Sequence, residues 1–484
     1  MSAAAARFTH TMWAALGGAP TDLRRVDFRT GGDLPSAFAV TDFAAAAMAC
    51  AALAVDELVA LAHPAASRTP AGAKDHAAAP SVSSLPPSPE IRVVIDRRLA
   101  SFWFATSLRP IGWQVPALRD PLTGDYATRD GWIRLHANAP HHRAATRRVL
   151  GPVADRAETA TAVAAWSGID LEQAIVAAGG CAAEMRDAAA WRDHPQGQAV
   201  AAEPPVIIET RAAPMPPGWP LLTLDPARPL QGIRVLDLTR VLAGPVATRF
   251  LAGLGATVLR IDPPDWDEPG AVPDVTLGKR CARLDLKTPR DHAILTALLA
   301  SADVLVHGLR PGALDALGLD AATRARLAPG LVDVSLDAYG WSGPWAGRRG
   351  FDSLVQMSCG IAAAGMRWRG AAAPVPLPVQ ALDHATGYWM AGAAIRGLTR
   401  RITERVATRS RLSLARTAQV LLDGGRSANA GPLQAETAFD LDPNVEATAW
   451  GNAHRIKTPW RMAGIATHWP LPASALGSAR ATWT

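Results

Sequence analysis

The segment Ala381–Gly387, ALDHATG, holds a carboxylate, an imidazole and a hydroxyl within four residues. Asp383 follows an apolar lead-in and stands at a predicted helix start. An aspartate there can cap the helix, because backbone N–H groups and the helix dipole favour a negative charge. The same N–H groups can keep the carboxylate ionised for attack on an activated acyl carbon. Both roles, cap and nucleophile, are open at this point.

The turn RVLAGP (240–245) is the second stretch that could bind a ligand, and Asp262 stands where a ribose-binding acid would. The pattern GxGxxG is missing from this turn, so the backbone cannot approach a pyrophosphate as in nicotinamide enzymes. An exposed acid at a strand end is an equally good interpretation of Asp262. These observations argue against an ordinary dehydrogenase.

One stretch, 232–262, positions this turn. Its apolar runs and helical spacing predict a strand, a helix and a second strand, with Pro245 at the first helical position and Gly255 as a left-handed C-cap. Short turns between them predict a right-handed βαβ unit. Ligands bind such units at the carboxyl ends of the strands. The sequence therefore predicts an α/β fold with a parallel sheet.

Composition excludes several classes of function. The 484 residues carry a net charge of +6, but the arginines are scattered and no dense basic run with aromatics indicates a nucleic-acid partner. Four separated cysteines without a CxxC pair argue against zinc ribbons and disulfide frameworks. His141 and His142 have no acid at ligand spacing, so no metal site is predicted. Without a signal peptide or a charge-free apolar stretch of 18 residues, we expect a cytoplasmic protein with no membrane partner.

Several segments taken together resemble the family III CoA-transferases, the formyl-CoA and carnitine CoA-transferase group with its α-methylacyl-CoA racemase relatives. They follow one another in family order over about 170 residues. The segments are PLQGIRVLDLTRVLAGPVAT, LAGLGATVLRID, GKRCARLDLKTP, ADVLVHGLRPGALDALGLD, SLDAYGWSGPWAGRRGFDSLVQMSCG and ALDHATG.

The resemblance implies a CoA-transferase that moves CoA between an acyl-CoA and a free carboxylic acid, with Asp383 as the nucleophile that forms an aspartyl-CoA thioester. CoA is then a substrate, and no permanently bound cofactor or metal is expected. The residues that the resemblance assigns to CoA or acyl binding are Val241, Leu242, Ala243, Asp262, Lys279, Arg280, Arg310, Arg349 and Phe351.

The resemblance also implies a Rossmann-like large domain with a smaller α/β domain, intertwined. The stretch around Asp42 resembles the one around Asp383, and each is followed by a strand and a helix, so we interpret the chain as two incomplete family copies fused. A homodimer or an intramolecular pseudo-dimer would satisfy this arrangement. The predicted segments are a partial first-copy helical segment (1–65), a linker (66–90), a returning strand and helix with the small domain (91–200), a proline-rich linker (201–230), a Rossmann-like CoA-binding domain (231–400) and a C-terminal segment (401–484).

Two alternatives stay open. The racemase relatives use a His–Asp pair for proton transfer, and their histidine position holds Phe351 here, which leaves His384 as the nearest imidazole. A catalytically silent homologue is the second alternative, because the chain departs from the family pattern at Leu242, Pro263 and Gly308.

Overall fold

The computed structural model describes residues 3–62, 91–117, 120–214, 224–425 and 431–484. The linker predicted at 66–90 lies outside the described residues. The helices are α1 Ala3–Ala15, α2 Val40–Ala62, α3 Arg97–Trp103, α4 Pro140–Leu150, α5 Arg156–Ala164, α6 Gly168–Ala177, α7 Ala188–Asp193, α8 Pro195–Ala202, α9 Ala243–Gly253, α10 Val272–Val275, α11 Pro289–Ala300, α12 Ala321–Leu327, α13 Asp352–Ser358, α14 Ile361–Arg369, α15 Ala381–Thr403 and α16 Leu414–Asp423. The strands are β1 Val26–Arg29, β2 Val93–Asp96, β3 Leu108–Pro110, β4 Gly124–Ala127, β5 Trp132–Leu135, β6 Ala182–Glu184, β7 Ile207–Ala212, β8 Arg234–Leu238, β9 Thr257–Asp262, β10 Lys279–Arg283, β11 Val304–His307, β12 Val332–Asp337, β13 Val406–Ser413, β14 Leu441–Thr448, β15 Gly451–Ile456 and β16 Trp460–Met462.

A seven-stranded sheet forms the large domain, in the order β10-β9-β8-β11-β12-β13-β7. The first six strands are parallel, and β7 pairs antiparallel with β13 at the edge. The predicted βαβ unit is β8-α9-β9. Its helix begins at Ala243, so Pro245 is the third helical residue instead of the first, where its missing N–H is still harmless. Gly255, with φ +106°, ends the helix as predicted.

The proline-rich stretch at 201–230 is not wholly a linker, because it contributes the edge strand β7 to the large sheet. A separate antiparallel sheet, β4-β5-β6, packs against α4, α5 and α6 to make the small α/β domain. The chain thus has a mixed α/β fold, in which the small domain precedes the large parallel-sheet domain in sequence.

Two 23-residue helices, α2 and α15, pack against each other through the centre of the protein. Small residues allow the close approach: a Cβ on Gly392 would lie only 3.7 Å from the Cα of Ala51. Among the described residues, one helical segment is long and apolar enough to cross a membrane, Val40–Leu61 of α2. Within the protein, 83% of its most apolar window is buried, as in the core helix of a globular domain.

The arrangement around α15 recurs around α2. After α15 comes β13, which pairs parallel with β12 and antiparallel with β7. After α2 comes β2, which pairs parallel with β1 and antiparallel with β16. Both β13 and β2 lead directly into a helix, α16 and α3 respectively. The sequence echo between these two parts of the chain therefore has a counterpart in three dimensions.

Candidate active site

A cavity of about 430 Å³ lies at the carboxyl ends of β8, β11 and β12, between the large sheet and the small domain. This is the edge at which open parallel sheets bind ligands. We call it the Asp383 cavity. The residues that line it include Thr239, Arg240, Val241, Ala243, Trp266, Gly308, Arg310 and Asp337 from the large domain, Arg348, Arg349 and Phe351 from the following loop, Asp383 and Leu414 from helix starts, and His141 and His142 from the small domain.

Asp383 is the third residue of α15 and is 6% exposed, facing this cavity. It does not cap its own helix. The N–H groups of Leu382 and Asp383 donate to Oδ2 of Asp352, at 2.9 and 3.0 Å. Asp352, the first residue of α13, is fully buried and caps α15 from outside. The backbone N–H groups expected to hold the Asp383 carboxylate ionised are therefore occupied by a second carboxylate.

This pair of carboxylates alters the acidity of Asp383. Burial raises the pKa of Asp383 well above its usual range, and the Asp352 charge raises it further. Burial also raises the pKa of Asp352, to about 6, although the two backbone N–H groups and the Gln356 amide oppose the shift. Two neighbouring buried carboxyls do not readily ionise together, so they titrate as a unit. An Asp383 carboxylate formed beside Asp352 is a poorly stabilised and hence reactive anion.

Arginines give the cavity its positive charge. Arg240, Arg310 and Arg349 all line it, and their charges, after burial, lower the pKa of His141. Arg240 lies over the ring of Trp266, with its guanidinium carbon 4.6 Å from the ring centroid. Arg348 is engaged with Glu172 of the small domain at 2.8 Å. Such a concentration of cations suits a ligand that carries several negative charges, such as phosphates.

Six of the ten site residues predicted from sequence line this cavity. They are Asp383, Val241, Ala243, Arg310, Arg349 and Phe351. The rings of Phe351 and His136 stack with centroids 3.7 Å apart, which fixes the Phe351 side chain at the cavity wall.

The other four predicted residues do not line the cavity. Leu242 is buried beside the turn, and Arg280 lies on β10, away from the lining residues. Asp262 is fully buried in an ion pair with Arg260 at 2.8 Å. Lys279 is buried against Asp237 at 3.1 Å and donates to the Pro245 carbonyl at 2.9 Å. The side chains of Asp262 and Lys279 point into the domain because their strands are covered on both faces.

Sequence reasoning missed several residues of the cavity, among them Arg240, Trp266, Asp337 and the two histidines. The sequence pattern around His141 and His142 argues only against a metal site and does not indicate that they line a cavity. Burial raises the pKa of Asp337 to about 7 at the end of β12, which gives the cavity a second titrating carboxyl. A polar residue at the carboxyl end of a buried strand is the sequence signal for Asp337.

His384 lies away from the cavity. Its ring is 1% exposed and stacks on Phe104 with centroids 5.2 Å apart. Burial lowers the pKa of His384 to about 3, so the ring is neutral. Within the described ranges, no three His, Cys, Asp or Glu side chains form a group that could hold a metal ion.

Comparison with known proteins gives one consistent result. Residues 230–455 match the model of CoA-transferase family III. The mouse succinyl-CoA:glutarate CoA-transferase is 32% identical over 259 residues, covering 50% of this chain and 56% of that protein. The acetyl-CoA:oxalate CoA-transferase of Acetobacter aceti is 35% identical over 148 residues, covering 28% of this chain and 38% of that protein.

A crystal structure of Rv3272 from M. tuberculosis matches with a TM-score of 0.38 and 30% identity, covering 41% of this chain and 57% of that one. The chain spans about half the length of the curated relatives that it matches over 259 residues. The matched part includes the βαβ unit, the Asp383 cavity's large-domain wall and α15. These matches show that residues 230–455 of this chain are similar to CoA-transferase family III.

Proposed function

We propose that this protein is a CoA-transferase that moves CoA between an acyl-CoA and a free carboxylic acid, with Asp383 as the nucleophile. The observation that carries the proposal is a nearly buried carboxylate that faces a cavity rich in arginine. The named relatives transfer CoA between carboxylic acids, and the site has the groups that such a reaction needs.

The proposed reaction begins when an Asp383 oxygen attacks the thioester carbon of the acyl-CoA. The C–S bond breaks, its electron pair leaves with the CoA thiolate, and a mixed anhydride remains on Asp383. The thiolate then attacks the Asp383 carbonyl carbon of the anhydride, which releases the first acid as a carboxylate and leaves an aspartyl-CoA thioester. The acceptor carboxylate repeats the two steps in reverse order, and Asp383 is regenerated with no net proton taken up or released.

The cavity residues have distinct parts in this scheme. Arg240 and Arg310 suit the phosphates of CoA, and Arg349, three residues before the Asp352 cap, suits the carboxylates of the two acids. The Asp352 charge repels the Asp383 anion of the free enzyme. It does not repel the neutral anhydride or thioester, so formation of the covalent bond relieves the repulsion.

A racemase has less support. Phe351 cannot transfer a proton, and His384 is buried against Phe104, away from the cavity. His141 is the exposed one of the two cavity histidines, and partial burial and the charges of Arg349, Arg240 and Arg310 lower its pKa.

The test is intact-mass spectrometry after incubation with a panel of acyl-CoAs, with hydroxylamine as the trap. A hydroxamate on Asp383, absent from the Asp383→Asn variant, is the expected result. Folded protein that gives no adduct with any donor, and no exchange of CoA between acids, would make the silent homologue the better description. Exchange of the substrate's α-proton with deuterated water, without CoA movement, would point to a racemase.

We also propose that the chain is an intramolecular pseudo-dimer, made from two incomplete copies. The repeated arrangement of α2-β2-α3 and α15-β13-α16, each with a parallel and an antiparallel neighbour strand, supports this proposal. Sedimentation of the active protein tests it: an active single chain agrees with the proposal, whereas activity confined to a dimer contradicts it.

A further inference from the structure

Val241 has a backbone conformation that its side chain disfavours. Its φ is +65°, in the left-handed region, and a β-branched residue is a rare occupant of that region. Such a conformation persists only when the surroundings hold it. Val241 lies between Arg240 and Leu242 in the turn that lines the Asp383 cavity, so whatever holds it also shapes the cavity wall.

The holding group is Glu268. Its Oε1 accepts the Val241 N–H at 2.8 Å, and its Oε2 accepts from Arg260 at 3.1 Å. Arg260 in turn donates two hydrogen bonds to Asp262, at 2.8 and 3.0 Å. Arg260 and Asp262 are fully buried and the Glu268 side chain is 9% exposed. The chain Asp262–Arg260–Glu268 therefore anchors the strained turn to the end of β9.

The loop that carries Glu268 touches the turn from a second side. Trp266 lines the Asp383 cavity and lies under the guanidinium of Arg240. Arg283 fixes this loop by donating to the carbonyls of Pro263, Pro264 and Trp266, each within 2.8 Å. Arg240 and Val241 thus both contact this loop.

We propose that Glu268 is a positioning residue, which holds the Val241 turn in the conformation that receives the CoA part of the substrate. The identity of the ligand as CoA rests on the proposed function. Glu268 itself does not line the cavity, and its effect is transmitted through the Val241 N–H. Asp262, two side chains further away, supports the same turn indirectly through Arg260.

A glycine at position 241 provides the decisive comparison, because glycine adopts positive φ without strain. In the native background, Glu268→Ala is expected to weaken CoA binding roughly tenfold, the factor that corresponds to the strain of such a residue. In the Val241→Gly background, the same substitution is expected to change the dissociation constant less than about twofold, since little strain is left to hold. Isothermal titration of the full chain with CoA measures both ratios.

Two further variants sharpen the result. Glu268→Gln keeps an oxygen for the Val241 N–H and is expected to bind CoA much better than Glu268→Ala. Glu404→Ala removes an exposed carboxylate that, like Glu268, pairs with an arginine, and it is the charge-matched control, expected to bind CoA as the native protein does. Equal effects of Glu268→Ala in both backgrounds, or equal weakening by the alanine and glutamine variants, would overturn the proposal.

Thermal unfolding without ligand separates this inference from the proposed function. Glu268→Ala is expected to lower the midpoint more in the native background than in the Val241→Gly background, whether or not CoA binds. If the native protein fails to bind CoA while this difference in midpoints is present, the CoA assignment is wrong and the holding role of Glu268 stands. If the difference is absent, the holding role is wrong.

Discussion

Asp42 and Asp383 occupy equivalent places in two parts of the molecule, yet only one of them faces a cavity lined by arginines. Each is the third residue of a 23-residue helix, and the two helices pack on each other. Both carboxylates are nearly buried, at 4% and 6% exposure. Asp42 lies 2.7 Å from the Arg97 guanidinium, whereas the Asp383 carboxylate has no hydrogen-bond partner among the described residues.

The difference comes from one position in the following strand-to-helix junction. After β2, helix α3 begins with Arg97, which pairs with Asp42 and Asp33. After β13, helix α16 begins with Leu414, which lines the Asp383 cavity. A neutral side chain leaves the second aspartate unpaired, and burial together with the Asp352 carboxylate then raises its pKa. Position at a helix start therefore does not by itself make an aspartate a nucleophile. The neighbouring charge determines whether the carboxylate is paired or free to react.

The largest expected effect is on activity. Asp383→Asn is expected to lower CoA transfer by about a thousandfold or more, because the amide cannot form the anhydride. Asp42→Asn is expected to leave the rate within about twofold, since that carboxylate is neutralised by Arg97. Steady-state assays with the donor identified by trapping measure both. A comparable loss in the two variants would erase the distinction between the sites.

The next effect is on stability. Arg97→Leu copies the residue found at the other junction and leaves the Asp42 charge buried without its cation, which is expected to reduce the free energy of unfolding by about 3–5 kcal/mol. Arg29→Leu removes an arginine from the exposed pair with Asp27 and is the matched control, with an expected change below about 1 kcal/mol. Urea unfolding measures both. Similar small changes would mean that the Arg97–Asp42 pair contributes little.

The pH profile tests the carboxylate pair. Asp383 must be ionised to attack, so kcat/KM is expected to rise with pH through the raised pKa of the pair. Asp352→Asn removes the neighbouring negative charge, which lowers the pKa of Asp383 and moves this acid limb to lower pH. Asp337, the arginines and the two histidines also face the cavity. If Asp337→Asn moves the limb and Asp352→Asn does not, the limb belongs to Asp337.

The smallest expected effect is on stability at different pH values, and the sign of this effect differs between Asp383→Asn and Asp42→Asn. Because the folded-state pKa of Asp383 lies above its unfolded value, its contribution to stability is present at low pH and is lost as pH rises through the folded pKa. Asp383→Asn is therefore expected to stabilise the protein at pH 8, by about 1 kcal/mol, and to have little effect near pH 4. Asp42→Asn is expected to destabilise it at pH 8, since the buried Arg97 loses one of its two carboxylate partners. Urea midpoints at the two pH values check both signs.

Local patterns were enough to predict β8-α9-β9 and the long helices α2 and α15, because periodicity and turn residues act over short distances. The same patterns singled out Asp383, and the resemblance to the CoA-transferase family added five further residues of the cavity wall, Val241, Ala243, Arg310, Arg349 and Phe351. They could not predict the Asp352 cap, which comes from 31 residues earlier in the chain. They also misplaced Lys279 and Asp262, because position near a strand end does not tell whether a side chain points to the ligand or into the domain.

The pairing of α2 with α15 has a consequence for biosynthesis. Glu57 of α2 and its partner Arg396 of α15 are 339 residues apart. At the usual speed of a ribosome, α2 emerges roughly 20 to 70 s before the helix that completes its burial. Until then only segments close in sequence can pack on its apolar surface. One of them is α1, whose Phe8 ring lies 5.1 Å from that of Phe43. The apolar segment Val40–Leu61 therefore stays without its main packing partner through most of translation, and we expect chaperones to bind it during synthesis.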